Sequence, residues 1–140
     1  MRNFSDLTER EVLALAIANE EEDSRIYTDI AEGLRNDYPA SANVFTEMAA
    51  EEGDHRRRLI ALYQEKFGEH IPLIRRHEIR GFIQHPPIWL ISPLGLDKVR
   101  DVAENMELET RRFYRRAASR TTDASIRKLL GDLAEAETEH

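Results

Sequence analysis

An all-α fold, four long helices arranged as two antiparallel hairpins joined by a long crossover, is predicted by three observations. The 140 residues include only six Gly and five Pro, too few for a turn-rich β fold. Apolar residues recur in alternating steps of three and four through four separate segments, which is the pattern of amphipathic helices. Most of these segments are bounded by start or stop chemistry that suits a helix. One domain over 1-140 is expected, since a chain of this length buries a working core without disulfides or a structural metal.

The first helix is predicted over about residues 8-35. Thr8 and Glu11 make a capping-box pattern that satisfies N–H groups left free in a first turn, and Asn36-Asp37-Tyr38-Pro39 stops the helix. The second, about 40-67, opens near Pro39-Ala40-Ser41, carries Phe45, Met48, Leu59 and Leu62, and ends at Gly68. The short connection folds these two into a hairpin. Between 68 and 96 the periodicity is lost and His85-Pro86-Pro87 and Ser92-Pro93-Leu94-Gly95 punctuate the chain, so this stretch is read as the crossover, with a short helix near Leu73 to Phe82. A third helix opens near Asp97 as a cap and runs to 120; Thr121-Thr122-Asp123 then turns the chain into a fourth over 124-140.

Charge and composition narrow the function. A net charge of -7 disfavours nucleic acid and anionic lipid as partners and favours cations. With no Cys, thiolate metal sites and a built-in Cys-x-x-Cys electron relay are excluded. The N-terminus has no apolar leader, and the longest apolar run, Ile88 to Leu96, is broken by Ser92, Pro93 and Gly95 and is too short to span a bilayer. The expectation is a soluble, cytoplasmic domain.

The residues that carry chemistry recur in both hairpins. Glu20 and Tyr27 in the first helix align with Glu107 and Tyr114 in the third, and Glu52-x-x-His55 in the second aligns with Glu137-x-x-His140 in the fourth. On the second helix, Phe45, Met48, Glu52, His55, Leu59 and Leu62 share one face, so the Glu and His lie on the core stripe. Ile126, Leu130, Leu133, Glu137 and His140 repeat this on the fourth. Leu13, Ile17, Glu20, Ser24, Tyr27, Ala31 and Leu34 place Glu20 inward on the first, and Glu21, Glu22 and Asp23 are expected to be solvated. On the third, the reading takes Glu104, Glu107, Arg111, Tyr114 and Ala118 as the stripe.

Five carboxylates and two imidazoles are thereby expected to converge at mid-height. A single unpaired buried carboxylate costs several kcal/mol, so this many require cations, and two divalent metals would supply them. Carboxylate oxygens with one imidazole per metal suit iron or manganese. One Glu-x-x-His is a weak signal in a chain this acidic; two of them on matching core stripes are a strong one. Tyr27 and Tyr114 are placed to hydrogen-bond a ligand carboxylate from another helix, or else to act as plain core aromatics. His70, His77 and His85 lack matched spacing and read as surface or structural residues.

The set Glu20, Glu52 with His55, Glu104 with Glu107, and Glu137 with His140 resembles the rubrerythrin and ferritin-like superfamily over nearly the whole chain. Ala18-Asn19-Glu20-Glu21-Glu22-Asp23 and Pro86-Pro87-Ile88-Trp89 resemble, within it, the N-terminal domain of membrane-bound ferritins. The resemblance implies a ferritin-like bundle holding two Fe ions, fusion to a membrane domain of the vacuolar iron transporter type, a place on the cytoplasmic face of the inner membrane, and a homodimer. The second helix continues about three turns past its His while the fourth stops at His140, so the chain is read as cut from a longer protein. The expected function is binding of ferrous iron and its oxidation by oxygen or peroxide, in the service of iron export. Two alternatives stand beside it: an iron-sensing or iron-delivery module without turnover, and a rubrerythrin-like peroxidase. Without Cys there is no rubredoxin domain, so the peroxidase would depend on an external reductant.

Overall fold

A computed structural model describes residues 1–82, 93 and 95–138. Four helices make up the bundle: α1 (Glu9–Leu34), α2 (Pro39–Phe67), α3 (Leu96–Arg120) and α4 (Ala124–Thr138). α1 packs along α2 and α3 along α4 as two hairpins, as the sequence predicts, and the hairpins meet through α1 with α3 and α2 with α4. The expected short helix in the crossover is a single 3-10 turn at Arg76–Glu78. It is tied to the N-terminus by a parallel bridge, in which Arg2 N donates to Glu78 O at 3.1 Å and Arg80 N to Arg2 O at 2.8 Å. The apolar crossover residues Ile83, Ile88, Trp89, Leu90 and Ile91, with His85, lie outside the described residues, as does His140.

The helix ends follow the sequence chemistry closely. Thr8 accepts from Glu11 N while the Glu11 carboxylate accepts from Thr8 N, closing the capping box at the start of α1. Pro39 occupies the first turn of α2, where its missing N–H costs nothing, and Gly68 ends that helix at φ 89°, a backbone angle suited to glycine. Asp123 caps α4 by accepting from Ser125 N at 2.9 Å and Ile126 N at 3.1 Å. α3 departs from expectation by two residues at its start: Gly95 is its cap, and Asp97 lies inside the first turn, where its negative charge complements the helix dipole's positive end.

Two apolar clusters fill the bundle, and the space between them positions the site. One cluster, around Leu13, Leu59, Tyr63, Phe113, Ile126, Leu130 and Leu133, also takes in Phe4 and Leu7 from the N-terminal segment and Ile74 and Ile79 from the crossover. The other gathers Tyr27, Ile30, Leu34, Phe45, Met48, Val99 and Met106. Along α1 the sequence passes from Ile17 in the first cluster to Tyr27 in the second, and along α2 from Met48 in the second to Leu59 in the first. The buried polar residues Asn19, Glu20, Asp23, Glu52 and His55 sit in these gaps, and Thr110 occupies the matching gap on α3. A polar layer is thus clamped between two hydrophobic plugs that exclude water from both sides.

Candidate metal centre

Glu20, Glu52, His55 and Glu137 are all buried, and each offers one ligand atom within 4.8 Å of the others. Three helices contribute: α1 through Glu20, α2 through Glu52 and His55, and α4 through Glu137. The three-residue step from Glu52 to His55 is what places both side chains on the same face of α2. His55 Nδ1 lies 3.5 Å from Glu20 Oε2 and 3.5 Å from Glu137 Oε1, so the imidazole faces two carboxylates at once. Tyr114 donates its hydroxyl to Glu20 Oε1, reaching across from α3 in the first of the two roles considered for it, and so fixes the orientation of that carboxylate. Tyr27 behaves as a core aromatic, stacked on Phe45 with ring centroids 6.2 Å apart.

The electrostatics are those of a cation site. Both oxygens of Glu52 are buried and reach no hydrogen-bond donor among the described residues. Burial pushes the Glu52 carboxyl far above the usual carboxylate range, and the neighbouring Glu20 and Glu137 push it further. At His55 burial acts downward, but Glu137 and Glu20 outweigh it and raise the imidazole to about 9. Metal-free protein therefore holds a proton on Glu52 and another on His55 at neutral pH. A divalent cation must displace both. Binding near pH 7 is expected to release about two protons per site, with affinity rising as pH is raised toward 9. Calorimetry in buffers of different ionisation enthalpy measures this release, and a heat independent of buffer would contradict it.

The donor set fits a divalent first-row metal, since three carboxylates and one imidazole supply hard oxygens with one borderline nitrogen. Four of the seven expected ligands are thus brought together. The other three are not. His140 lies outside the described residues. Glu107 is half-buried and its charge reaches Tyr27, beside the cluster but not in it. Glu104, expected on the buried stripe, is exposed, and with Glu107 it lines a cavity of about 160 Å³ open to the surface near Ser41 and Met48. The convergence of five carboxylates is corrected accordingly. The reason lies in α3, whose buried stripe runs Val99, Ala103, Met106, Thr110, Phe113, Ala117. That line is turned by about one residue, or ~100°, from Glu104, Glu107 and Arg111.

A buried acid was missed by the sequence reading. Asp23, expected in solvent, is 1% exposed. It accepts from Arg76 in the crossover at 2.8 Å and from Thr110 of α3 at 3.1 Å, while Arg76 also pairs with Glu22 at 2.7 Å. Its position one turn from Glu20 was the available signal, because i and i+3 share a helix face. His70 and His77 are exposed, in keeping with surface roles.

A four-helix bundle with a buried cluster of carboxylates and imidazole at mid-height has the class features of a helical bundle built around a candidate carboxylate metal centre. More narrowly, the rubrerythrin family model matches residues 11–140, and the chain belongs to that family. No curated protein and no solved structure gives a match. Among the described residues, no helix is long and apolar enough to cross a membrane.

Proposed function

We propose that this chain is a ferroxidase-type domain that binds ferrous iron as substrate and oxidises it with oxygen or peroxide, in the service of iron export or detoxification. The observation that carries the reading is the buried set Glu20, Glu52, His55 and Glu137, whose ligand atoms converge within 4.8 Å between two apolar plugs. So many ionisable groups in a dry layer are stable only if cations or protons neutralise them. Iron held there would supply one-electron chemistry toward oxygen. Glu20, Glu52, Glu107 and Glu137 would hold the iron through carboxylate oxygens, and His55 and His140 through ring nitrogens. Glu104, exposed at the cavity it lines with Glu107, would be a further carboxylate available to the iron. Tyr114 holds Glu20 in place through its hydroxyl, and the two hydrophobic clusters keep bulk water out of the layer.

The finer reading follows the resemblance to membrane-bound ferritins: a cytoplasmic, homodimeric domain feeding a fused transporter. Manganese is the alternative metal. The test is anaerobic ferrous titration of the purified chain, followed by oxygen exposure with absorbance and oxygen uptake recorded, beside Glu20→Ala and Glu107→Ala. Saturation near two irons per chain with a rapid ferric band, lost in both variants, is the expected result. Binding without oxidation would replace the oxidase by a sensing or delivery module. Peroxide outpacing oxygen would turn the reading to a peroxidase with an external reductant, and an absence of specific binding would overturn the metal site altogether.

A further inference from the structure

A second cavity, of about 210 Å³, opens between α3 and the crossover at Arg80–Phe82, and its lining is unlike the rest of this acidic protein. Three arginines, Arg80, Arg112 and Arg116, line it beside one acid, Glu109, among the described residues. Arg112 and Arg116 are four residues apart and so share a face of α3, which is why both reach the same cavity. The walls are aromatic. Phe82 and Phe113 stand with ring centroids 5.7 Å apart at 52°, and Phe4 lies 5.8 Å from Phe113 nearly edge-on. The Arg116 guanidinium sits 4.3 Å from the centre of the Phe4 ring, a cation–π contact that steadies it at the rim.

Each of these features selects for ligand chemistry. Guanidinium forks match the two oxygens of a carboxylate, and a surplus of them favours an anion. Aromatic walls favour a flat ring that stacks or meets them edge-on. Size sets the limit: the volume is below the roughly 300–1,000 Å³ of drug-sized pockets and above the ~150 Å³ that holds a benzene. One ring with one carboxylate fits. We propose that this cavity is a binding site for a small aromatic carboxylate. The site is separate from the acidic cluster yet connected to it: Phe113 packs on Tyr114 with centroids 5.5 Å apart, and Tyr114 holds Glu20.

The test uses the full metal-free chain, so it stands or falls apart from the iron reading. Benzoate is titrated into labelled protein and followed by amide NMR shifts, with cyclohexanecarboxylate and inorganic phosphate as comparisons. Saturable benzoate shifts centred on Phe82, Arg112, Phe113 and Arg116 are expected, with binding weakened roughly tenfold or more in Arg112→Gln and in Arg116→Gln, each of which removes one charge-assisted contact. Both arginines are exposed, and unchanged helical circular dichroism would show that the variants fold. Absence of saturable benzoate binding to the wild type would overturn the proposal. Equal binding of cyclohexanecarboxylate or phosphate would overturn it too, since the aromatic walls would then select nothing.

Discussion

Replacing Glu52 with Gln should reverse the stability order of variant and wild type according to whether metal is present. In the metal-free protein, Glu52 is fully buried with no donor for its oxygens among the described residues, and its carboxyl is pushed far above its ordinary 4.5 by burial first and by Glu20 and Glu137 next. A carboxyl whose folded-state pKa is raised binds a proton on folding, so its contribution to stability falls as pH rises above the unfolded value. At pH 7, above the unfolded value and below the folded one, wild type already carries part of that penalty, which goes on growing with pH. Gln carries none, and Glu52→Gln is expected to be more stable by about 2 kcal/mol without metal, a gain that shrinks as the pH is lowered toward 4.5. Metal inverts the ranking. A ligand at a hundred times its dissociation constant stabilises the folded state by about 2.7 kcal/mol, and a variant lacking a central ligand should lose more than about 100-fold in affinity, beyond the range seen for outer partners. Thermal melts with chelator and with saturating ferrous or manganous ion, at two pH values, are the measurement. A Gln variant that melts below wild type in chelator, or that still gains stability from metal, would refute the assignment of Glu52 to a cation site.

That prediction rests on residues whose placement could be read in the sequence, and the reason is local. Glu52 and His55 sit inside an otherwise apolar line from Phe45 to Leu59 with unbroken three- and four-residue steps, so the helix itself dictates where they point. Glu20 and Glu137 are fixed the same way by Leu13, Ile17 and Tyr27 and by Ile126, Leu130 and Leu133. α3 was harder because two lines compete on it. Glu107 and Tyr114 match Glu20 and Tyr27 of the first hairpin, with Glu104 and Arg111 standing where it has Ile17 and Ser24, but Val99, Ala103, Met106, Thr110 and Phe113 carry more apolar surface, and burial follows apolar area. Tyr114 belongs to the edge of both lines, which is why it alone of that polar set meets the cluster. Asp23 and Arg76 could not be paired from sequence at all, because they are 53 residues apart and no periodicity links a helix to a crossover.

Their pairing gives the second large effect. Arg76→Met should destabilise the protein by about 3 kcal/mol at pH 8, in the range for breaking a buried ion pair, and by clearly less at pH 5. The pH dependence follows from Asp23. Burial raises its carboxyl from 3.8 to about 7 even though Arg76 acts against that, with Glu20 adding to the rise and Thr110 opposing it. Below about 7 the folded protein keeps Asp23 protonated with or without Arg76, so the variant loses only the pairing to Glu22 and the packing of the side chain. Above that pH wild-type Asp23 ionises against Arg76, whereas in the variant it must stay protonated or remain as an uncompensated buried charge. The penalty therefore grows as pH rises. Asp23→Asn removes the charge that needs compensating, so the double variant should recover most of the loss at pH 8, and Thr110 can still donate to the amide oxygen. Denaturant unfolding of the four proteins at both pH values measures the coupling. A loss equal at the two pH values, or single effects that simply add, would mean that Arg76 works by packing alone. Cation binding at Glu20 should move the onset of the penalty to lower pH, because it offsets one of the charges that now hold the Asp23 proton in place.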